Sequence, residues 1–537
     1  MSDHRDSLRN GLNRREFLGT AAAAAGVMAA GFPSVAKAMP KRGGTLRYAT
    51  RVDGRGLDPH RNIIYYVSNP LVGTTQGLLD LNQQLEIVPA VAEEWDISKD
   101  LKRYTFRIRK GVEFHNGRTV DADAVKWNYE RILDPAIGHA FTRASLVDIE
   151  RMETDGPDIL HIYLKNPSAL FAANLVYYPC NLIAPDSADQ ADTHPIGCGP
   201  FKFVSWKRYA KTEMVRFENY FEMGEDGKPL PYLDAIEGFP KREDKVRLTA
   251  LRTGEVDMIE NMSFFDAPDF RANETDEFKT YTVPQLGMAH FNINAKSGPF
   301  AMNSPDGKML RAAVAHAINK QAIHEAVFNG MGEPVNHFYS SQTSQYVPDV
   351  PNEKEYDPEK SRFILRKLNM EGMPLAVVAR ASYQYMRNGG EIAHAMLLEA
   401  GFNATNEVFD NPVLREKYRK DDWGIDSTAT SFRFEPDGWY SRWIHSQGAE
   451  GQLRVGFKNE RCDKLIEEAR VTLDVNKRKE LYREVDGIVN DESALIYSHA
   501  VPMLGASTKR LKNYEPATSG TPSWSGGGIR TAYFDDA

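Results

Sequence analysis

The chain has 537 residues, of which 42% are hydrophobic, 26% charged and 10% aromatic. This ordinary composition argues against intrinsic disorder, a fibrous repeat or a multi-pass membrane protein, and the length predicts two or three lobes. The net charge of -8 argues against a nucleic-acid partner, because no general basic field attracts phosphate backbones.

The N-terminal residues have the pattern of an export signal. A polar segment at 1–16 precedes an Ala/Gly-rich apolar run at 17–32, and 36–38 is a small-residue cleavage site. Arg14 and Arg15 stand just before the apolar run, which is the arrangement of a twin-arginine (Tat) signal. The sequence therefore predicts export by the Tat route.

Cleavage is predicted after Ala38, and two alternatives remain: a Sec signal and a membrane anchor. The apolar run is shorter than the roughly 20 residues that a bilayer crossing needs, and Gly26 and Gly31 interrupt it. Since no cysteine lies near the cleavage site, a free periplasmic protein is favoured over a lipid-anchored one.

Three segments of the mature chain alternate apolar and polar residues, which predicts half-buried strands. They lie after the Gly-Gly pair at 43–44, within 101–117, and at 159–164. The inward-facing residues are Leu46 and Tyr48 in the first segment, Tyr104, Phe106 and Ile108 in the second, and Leu160, Ile162 and Leu164 in the third.

Helices are predicted where apolar residues recur at steps of three and four. The first begins near Thr119 or Asp121 and stops by Pro135; another runs without a break over 309–329 and ends at Gly330 as a C-cap. Two more are predicted near 460–472 and 476–490. This mixture gives an α/β fold of several lobes, and the lack of a long linker predicts strands that cross between them.

The three cysteines, Cys180, Cys198 and Cys462, are too few for a disulfide scaffold. An oxidising compartment would permit one bridge, and Cys180 with Cys198 is the candidate disulfide. The alternative is three buried thiols that act as small apolar side chains.

Motifs for catalysis or cofactor binding are missing from the sequence. It has no phosphate-binding Gly-Lys-Ser/Thr loop, no dinucleotide fingerprint, no nucleophile elbow and no zinc-binding H-E-x-x-H helix. The thirteen histidines are scattered singly, so a metal site is not indicated. The sequence therefore predicts no enzyme activity, no cofactor and no metal.

Ordered segments along nearly the whole mature chain resemble the bacterial extracellular solute-binding proteins of family 5, the dipeptide, oligopeptide and nickel class that serves ABC importers. The long block at 88–135 is close to the signature of that family, and "GGTLRYA", "HPIGCGPFKFVSW" and "LRTGEVDMIENM" also match. Cys198 stands where the family usually has threonine.

This resemblance implies a type II, cluster C-like periplasmic binding protein whose two lobes close on a ligand. Lobe I would comprise 41–82, 197–284 and 500–537, with an extra subdomain at 83–196, and lobe II would be 285–499. Such a protein binds a small molecule, docks on an ABC permease, binds no nucleotide and acts as a monomer.

Peptide-binding members hold the ligand's ammonium with an aspartate three residues before an acidic-Pro pair. Here the pair is Glu435-Pro436, and the residue three before it is Phe432. The neighbouring Arg433 offers a cation instead, which favours a carboxylate or phosphate group on the ligand. We therefore expect an anionic or amphipathic small molecule with Arg433 as its charge partner, although a surface or inter-lobe ion pair would explain Arg433 equally well.

Two tryptophans and four residues on other segments complete the candidate site. Pro436 suits the first turn of a short helix, on which Trp439 and Trp443 would share one face and, with Phe432, form walls. The alternative for both tryptophans is packing in the core. By resemblance, the remaining ligand-binding candidates are His290 and Asn292 on a crossing strand and Tyr65 and Tyr66 in a covering loop.

The cargo stays open among peptides, opine-like compounds, sugars and chelated metals. Two other classes of function are also compatible with the sequence: an exported hydrolase without a recognisable motif, and a structural or chaperone-like envelope protein. A binding protein would return its ligand intact, whereas a hydrolase would turn it over.

Overall fold

The protein is described here by a computed structural model that covers 39–51, 53–62, 72–273, 276–352, 354–381, 383–518 and 522–536. The predicted signal with its cleavage site at Ala38, and the candidates Tyr65 and Tyr66, lie outside the described residues. Within these ranges no helix combines the length and the apolar character that a membrane crossing requires.

Strands account for the main framework of the described chain. They are β1 (Thr45–Thr50), β2 (Leu79–Leu81), β3 (Ile87–Pro89), β4 (Ala92–Ile97), β5 (Arg103–Ile108), β6 (Ile149–Asp155), β7 (Ile159–Leu164), β8 (Phe201–Lys207), β9 (Lys211–Arg216), β10 (Ala235–Pro240), β11 (Met258–Ile259), β12 (Phe278–Ile293), β13 (Glu333–Pro334), β14 (Pro374–Arg380), β15 (Asn403–Phe409), β16 (Ile425–Ser431), β17 (Leu495–Thr508), β18 (Leu511–Lys512), β19 (Ser523–Trp524), β20 (Gly527–Gly528) and β21 (Tyr533–Phe534).

Helices cover these strands. They are α1 (Ala122–Leu133), α2 (Ala140–Leu146), α3 (Phe171–Leu175), α4 (Asp244–Arg252), α5 (Ala267–Asn273), α6 (Gly307–Ala317), α7 (Lys320–Phe328), α8 (Pro358–Lys367), α9 (Gln384–Glu399), α10 (Asn411–Lys420), α11 (Asp437–Trp439), α12 (Ala449–Arg454), α13 (Glu460–Val471) and α14 (Val475–Glu492). Short 3-10 turns lie at Tyr178–Cys180 and Pro185–Gln190, and a π-helical turn, Tyr440–Ile444, follows α11.

One sheet runs through the molecule in the order β15-β14-β16-β12-β17-β11-β1-β10-β9-β8. The long strands β12 and β17 pair antiparallel in its middle. Strand β12 also pairs with β16 of one end, and β17 also pairs with β11 of the other. At one end β14 runs parallel to β15 and β16, and at the other β1 runs parallel to β10 and β11. The predicted crossing strands are therefore confirmed.

Each end of this sheet is covered by its own helices, which gives two hydrophobic cores. Helices α6, α7 and α9 pack on β14 and β16 through Leu310, Ile323, Leu397, Val377 and Ile425. Helix α4 packs on β1 and β11 in a separate cluster. Two cores joined by continuous strands make two lobes.

A second sheet, in the order β4-β5-β7-β6, lies within the predicted extra subdomain. The alternation in β5 is confirmed, because Tyr104, Phe106 and Ile108 are buried while the residues between them are not. Helix α1 covers this sheet and begins where Asp121 Oδ1 accepts a hydrogen bond from the Ala124 N–H at 2.8 Å.

The predicted single helix over 309–329 is wrong, because the chain forms α6 and α7 with a break between them. At the break, Ile318 is extended and Asn319 caps α7, with its Oδ1 accepting the Ala322 N–H at 2.9 Å. Helix α7 ends with Asn329 and Gly330, both at positive φ, close to the predicted C-cap. The helices predicted near 460–472 and 476–490 are confirmed as α13 and α14.

We predict that Asn319→Ala lowers the free energy of unfolding by about 1 kcal/mol, because α7 loses its side-chain cap at the break. Asn319→Asp is the matched control, since its carboxylate still accepts the Ala322 N–H. Urea unfolding followed by circular dichroism measures both variants. An alanine variant as stable as the aspartate variant would show that the cap does not set this helix start.

Candidate ligand-binding site

A cavity of about 1080 Å³ lies where the two lobes face each other. Its floor is formed by the crossing strands, through Leu286 and Gly287 of β12 and Val501 and Met503 of β17. Gly287 is required there, because a Cβ at this position would lie 2.7 Å from the carbonyl oxygen of Thr430 on the adjacent strand β16.

The lobe II wall follows the carboxyl ends of the parallel strands β14 and β16. Binding sites of α/β sheets gather at this edge, because the chain leaves each strand there and turns away. Arg380 is the last residue of β14, and its Nε and Nη2 atoms are buried without a hydrogen-bond partner among the described residues. Arg380 lines the cavity, so these two N–H groups can serve a ligand.

Arginines and aromatic rings form most of the wall around Arg380. Arg387 lies in the first turn of α9, and Arg433 follows the end of β16. The aromatic residues that line the cavity are Tyr177, Tyr178, Phe264, Phe265, Tyr383, Tyr385, Phe432, Phe434 and Trp524. The cavity can therefore hold an anionic group together with an apolar or planar body.

Three of these aromatics take part in two contacts between opposite walls. The Arg51 guanidinium, after β1, lies 5.2 Å from the ring centre of Tyr383 beside α9. Tyr177 and Phe434 meet with ring centres 6.3 Å apart. Both pairs join lobe I or its subdomain to lobe II, so they help to close the cavity.

Two carboxylates at the cavity are already neutralised by arginines of their own lobe. Asp80 accepts a hydrogen bond from Arg530 at 2.5 Å, and Asp244 pairs with Arg247. Glu222, which is not among the lining residues, also accepts a hydrogen bond from Arg530, at 2.7 Å. Burial raises the pKa of Glu222 above its usual range, against the lowering effect of Arg530. Of the other lining carboxylates, Glu243 is exposed beside the start of α4.

The structure brings Phe432 and Arg433 to the cavity wall, as the sequence predicts. Trp439 and Trp443 do share one face, with ring centres 5.2 Å apart, but that face packs into the core rather than lining the cavity. Their predicted role as walls is therefore corrected. The reason is that α11 lies over β12, where the His290 ring packs edge-on against the rings of Trp439 and Trp443.

His290 and Asn292 are also buried behind the wall and do not line the cavity. His290 lies 3.1 Å from the hydroxyl of Thr430, which does line the cavity, so the contact of His290 with a ligand is indirect. The prediction that His290 and Asn292 touch the ligand is therefore corrected. Both residues lie one layer behind those that line the cavity.

The candidate disulfide is not formed, because Cys180 and Cys198 are buried free thiols. Both belong to the subdomain core, and burial raises the pKa of each thiol to about 12. The structure therefore favours the alternative of small apolar side chains. Among the described residues, no cluster of histidine, cysteine and carboxylate side chains has the arrangement of a metal site.

Arg380, Tyr385 and Thr430 are cavity residues that the sequence analysis missed. One signal could have found Arg380: a charged residue at the end of an apolar segment, "PLAVVAR", which reads as a buried parallel strand. The rule that ligands bind beyond the carboxyl ends of such strands would then have pointed to it.

A buried carboxyl group supports the tryptophans behind the wall. Asp486 accepts hydrogen bonds from the hydroxyls of Tyr440 and Tyr497 at 2.6 and 2.7 Å, and Trp439 Nε1 donates to Tyr497 at 3.4 Å. Burial raises the pKa of Asp486 to about 7, although both tyrosine hydrogen bonds lower it. The position of Trp439 is thus tied to a titrating group.

Residues 86–451 match the family model described as bacterial extracellular solute-binding proteins, family 5 middle. The glutathione-binding protein GsiB of Pectobacterium atrosepticum is 29% identical over 54% of this chain and 55% of its own length. The heme-binding protein A of Haemophilus influenzae is 28% identical over 86% of each chain. The probable di/tripeptide-binding protein 5 of Pseudomonas aeruginosa is 26% identical over 88% of this chain and 93% of its own.

Solved structures share the whole fold. The periplasmic binding protein DppA of Helicobacter pylori, in complex with the peptide STSA, superposes with a TM-score of 0.78 and 21% identity over 92% of this chain and 99% of its own. The binding protein AgaA from A. tumefaciens R10, in complex with agropinic acid, gives 0.76 and 23% over the same shares. The expected two-lobed α/β binding-protein fold is thereby confirmed.

We predict that Asp486→Asn removes a pH dependence of stability. Because the folded protein binds the Asp486 proton more tightly than the unfolded chain, the wild-type free energy of unfolding falls as pH rises from about 4 to about 7. The variant has no such proton, so its stability relative to wild type should rise by on the order of 2 kcal/mol between pH 5 and pH 8.

Urea unfolding at both pH values measures this difference. The exposed Asp189→Asn is the control, and it should follow the wild type at both values. A difference between Asp486→Asn and wild type that is equal at pH 5 and pH 8 would show that Asp486 does not titrate in this range.

Proposed function

This chain belongs to the bacterial extracellular solute-binding proteins of family 5, and we propose that it captures a small anionic solute between its lobes for an ABC importer. The observation that carries this proposal is the cavity-lining Arg380, whose buried Nε and Nη2 atoms lack a hydrogen-bond partner among the described residues. Leaving such N–H groups without a partner away from water costs free energy, and a carboxylate or phosphate oxygen pair would satisfy both.

The rest of the lining supports an anion with an apolar or extended body. Arg433 and Arg387 add positive charge to the same wall, whereas Asp80 and Asp244 are held by arginines of lobe I. The volume of about 1080 Å³ exceeds what a single amino acid or sugar fills, so a ligand of peptide size fits better. Phe432 and Arg433 remain proposed contacts, as do Tyr65 and Tyr66.

The names of similar proteins are compatible with such a ligand. The relatives include proteins named for glutathione and for di- and tripeptides, and one structural neighbour holds agropinic acid. This cavity is least suited to a ligand with a free ammonium group. Phe432 stands where peptide-binding members place the aspartate that binds such a group.

Closure would transmit binding to the permease. The proposed lobes keep the boundaries given by the resemblance: lobe I at 41–82, 197–284 and 500–537, its subdomain at 83–196, and lobe II at 285–499. The sheet order supports them, since β1 and β8 to β11 lie on one side of the crossing pair and β14 to β16 on the other. A ligand that touches both lobes favours the closed state by its differential affinity.

The proposed cellular role follows from the same family. The protein would leave the cytoplasm by the Tat route, lose its signal near Ala38, act in the periplasm as a monomer and deliver its solute unchanged to a membrane permease. A binding protein is favoured over an exported hydrolase or an envelope chaperone by the family match over 86–451.

We predict that reduced glutathione and agropinic acid, which carry a net negative charge, bind more tightly than the net-neutral dipeptide Met-Leu. Arg380→Gln should weaken anion binding by about 100-fold, because a bidentate charge-assisted contact is lost. Arg380→Lys should retain part of the affinity, since it keeps the charge without the two-pronged geometry. Isothermal titration calorimetry measures the dissociation constant of each ligand for the wild type and for each variant.

Arg461→Gln is the matched control, because Arg461 is an exposed residue of α13 that pairs with Glu484 and does not line the cavity. Its affinity should equal that of wild type. Tight binding of Met-Leu that Arg380→Gln leaves unchanged would refute the proposal of an anionic solute, while retaining the binding-protein function.

We predict that replacing Arg14 and Arg15 together by lysine blocks export. The precursor should then accumulate in the cytoplasm, because the twin-arginine pair is the feature that the Tat route reads. Cell fractionation and immunoblotting measure the outcome, with Arg5 and Arg9 replaced by lysine as the control. Normal processing of the Arg14/Arg15 variant would indicate the Sec route instead.

A further inference from the structure

Four buried polar side chains form a hydrogen-bonded row that ends at the cavity. Asn292 Nδ2 donates to Asp426 Oδ2 at 3.0 Å, and Asn292 Oδ1 lies 3.0 Å from His290 Nδ1. His290 Nε2 lies 3.1 Å from Thr430 Oγ1. Of the four residues, only Thr430 lines the cavity.

The charge of Asp426 fixes the direction of the first hydrogen bond. An ionised carboxylate only accepts, so the amide nitrogen of Asn292 must face Asp426 and its oxygen must face His290. Arg454 also lies beside this carboxylate, with its Nη1 4.0 Å from Asp426 Oδ2. Turning the Asn292 amide over would place its oxygen against the carboxylate, which is repulsive.

The amide oxygen of Asn292 in turn fixes the tautomer of His290. An oxygen accepts, so Nδ1 of His290 carries the proton and Nε2 is left as an acceptor. Burial and the positive charges of Arg454 and Arg380 lower the pKa of His290 to about 3, so the ring stays neutral. The edge-on rings of Trp439 and Trp443 pack against the imidazole.

An acceptor at His290 Nε2 requires the hydroxyl hydrogen of Thr430. We infer that Thr430 donates its O–H inward to His290 and therefore presents only oxygen lone pairs to the cavity. Thr430 is thus a hydrogen-bond acceptor of the binding site, and the bound solute places an N–H or O–H donor against it. This inference rests on the proposed function and adds a second requirement to the solute.

The two requirements together narrow the class of solute. Arg380 and Thr430 both line the cavity, and they belong to the adjacent paired strands β14 and β16. The solute therefore carries an anionic group and, close to it, an amide or hydroxyl hydrogen. N-acyl amino acids, peptides and hydroxy acids meet both requirements, whereas a fully ionised dicarboxylate without an N–H or O–H does not.

The tautomer of His290 tests the row without any ligand. In the full-length mature protein labelled with ¹⁵N-histidine, long-range ¹H–¹⁵N spectra should show His290 protonated at Nδ1, unprotonated at Nε2, and unchanged from pH 5 to pH 8. His290→Gln assigns the signals. Should that variant fail to fold, Thr430→Val assigns them by moving the Nε2 signal, because the nitrogen loses its donor. An Nε2-protonated or titrating His290 would overturn the inference, whatever the protein binds.

The contact of Thr430 with the solute is tested by affinity, using the tightest-binding anion among reduced glutathione and agropinic acid. Thr430→Val should weaken the affinity for this anion about tenfold, whereas Thr430→Ser should retain most of the wild-type affinity. Thr405→Val, on the exposed side of β15, is the control and should bind as wild type does. Equal affinity of Thr430→Val and wild type, with Arg380→Gln still impaired, would overturn this contact and leave the anionic solute intact.

Discussion

The backbone pairing of β12 with β17 is the contact that both lobes share. Register partners extend from Phe278 with Thr508 to Asn292 with Leu495, so the two strands satisfy each other's N–H and C=O groups through both lobes. The ladder shifts between Val283 and Gly287, where three residues stand opposite Pro502, which has no N–H to donate. The two strands therefore share fewer backbone hydrogen bonds at that place than along the rest of the ladder.

The cavity floor lies at the same irregularity of the ladder. Leu286, Gly287, Val501, Pro502 and Met503 all line the cavity. The buried Gln285 anchors the irregular segment, because its amide donates to the Phe338 carbonyl at 2.6 Å and accepts the Ser340 N–H at 2.8 Å. A solute that rests on this floor is therefore in contact with the irregular segment of the ladder.

The elements that could be predicted from the sequence are those in which one local pattern suffices. Strand β5 is predicted by Tyr104, Phe106 and Ile108 alone, because apolar residues at every second position are typical of a half-buried strand. The break before α7 was missed because apolar periodicity continues across Ile318, while a single asparagine cap carries little local signal. For Trp439, the pattern gave the correct helix face but not whether that face meets a ligand or a core.

Arg380 and Thr430 could not be predicted from the sequence for a different reason. Their proposed roles at the cavity depend on residues that are distant in the chain. Arg380 is significant because β14 lies beside β16 and the cavity opens at their shared edge. Thr430 has a defined hydrogen-bond direction because Asp426, Asn292 and His290 align across β12 and β16. Lobe II thus supplies both the cation and the acceptor, while lobe I contributes Arg51 and Tyr177 to contacts that form when the lobes meet. Under the proposed function, a solute that touches Arg380 and Thr430 on lobe II and also contacts residues of lobe I would favour the closed state by its differential affinity.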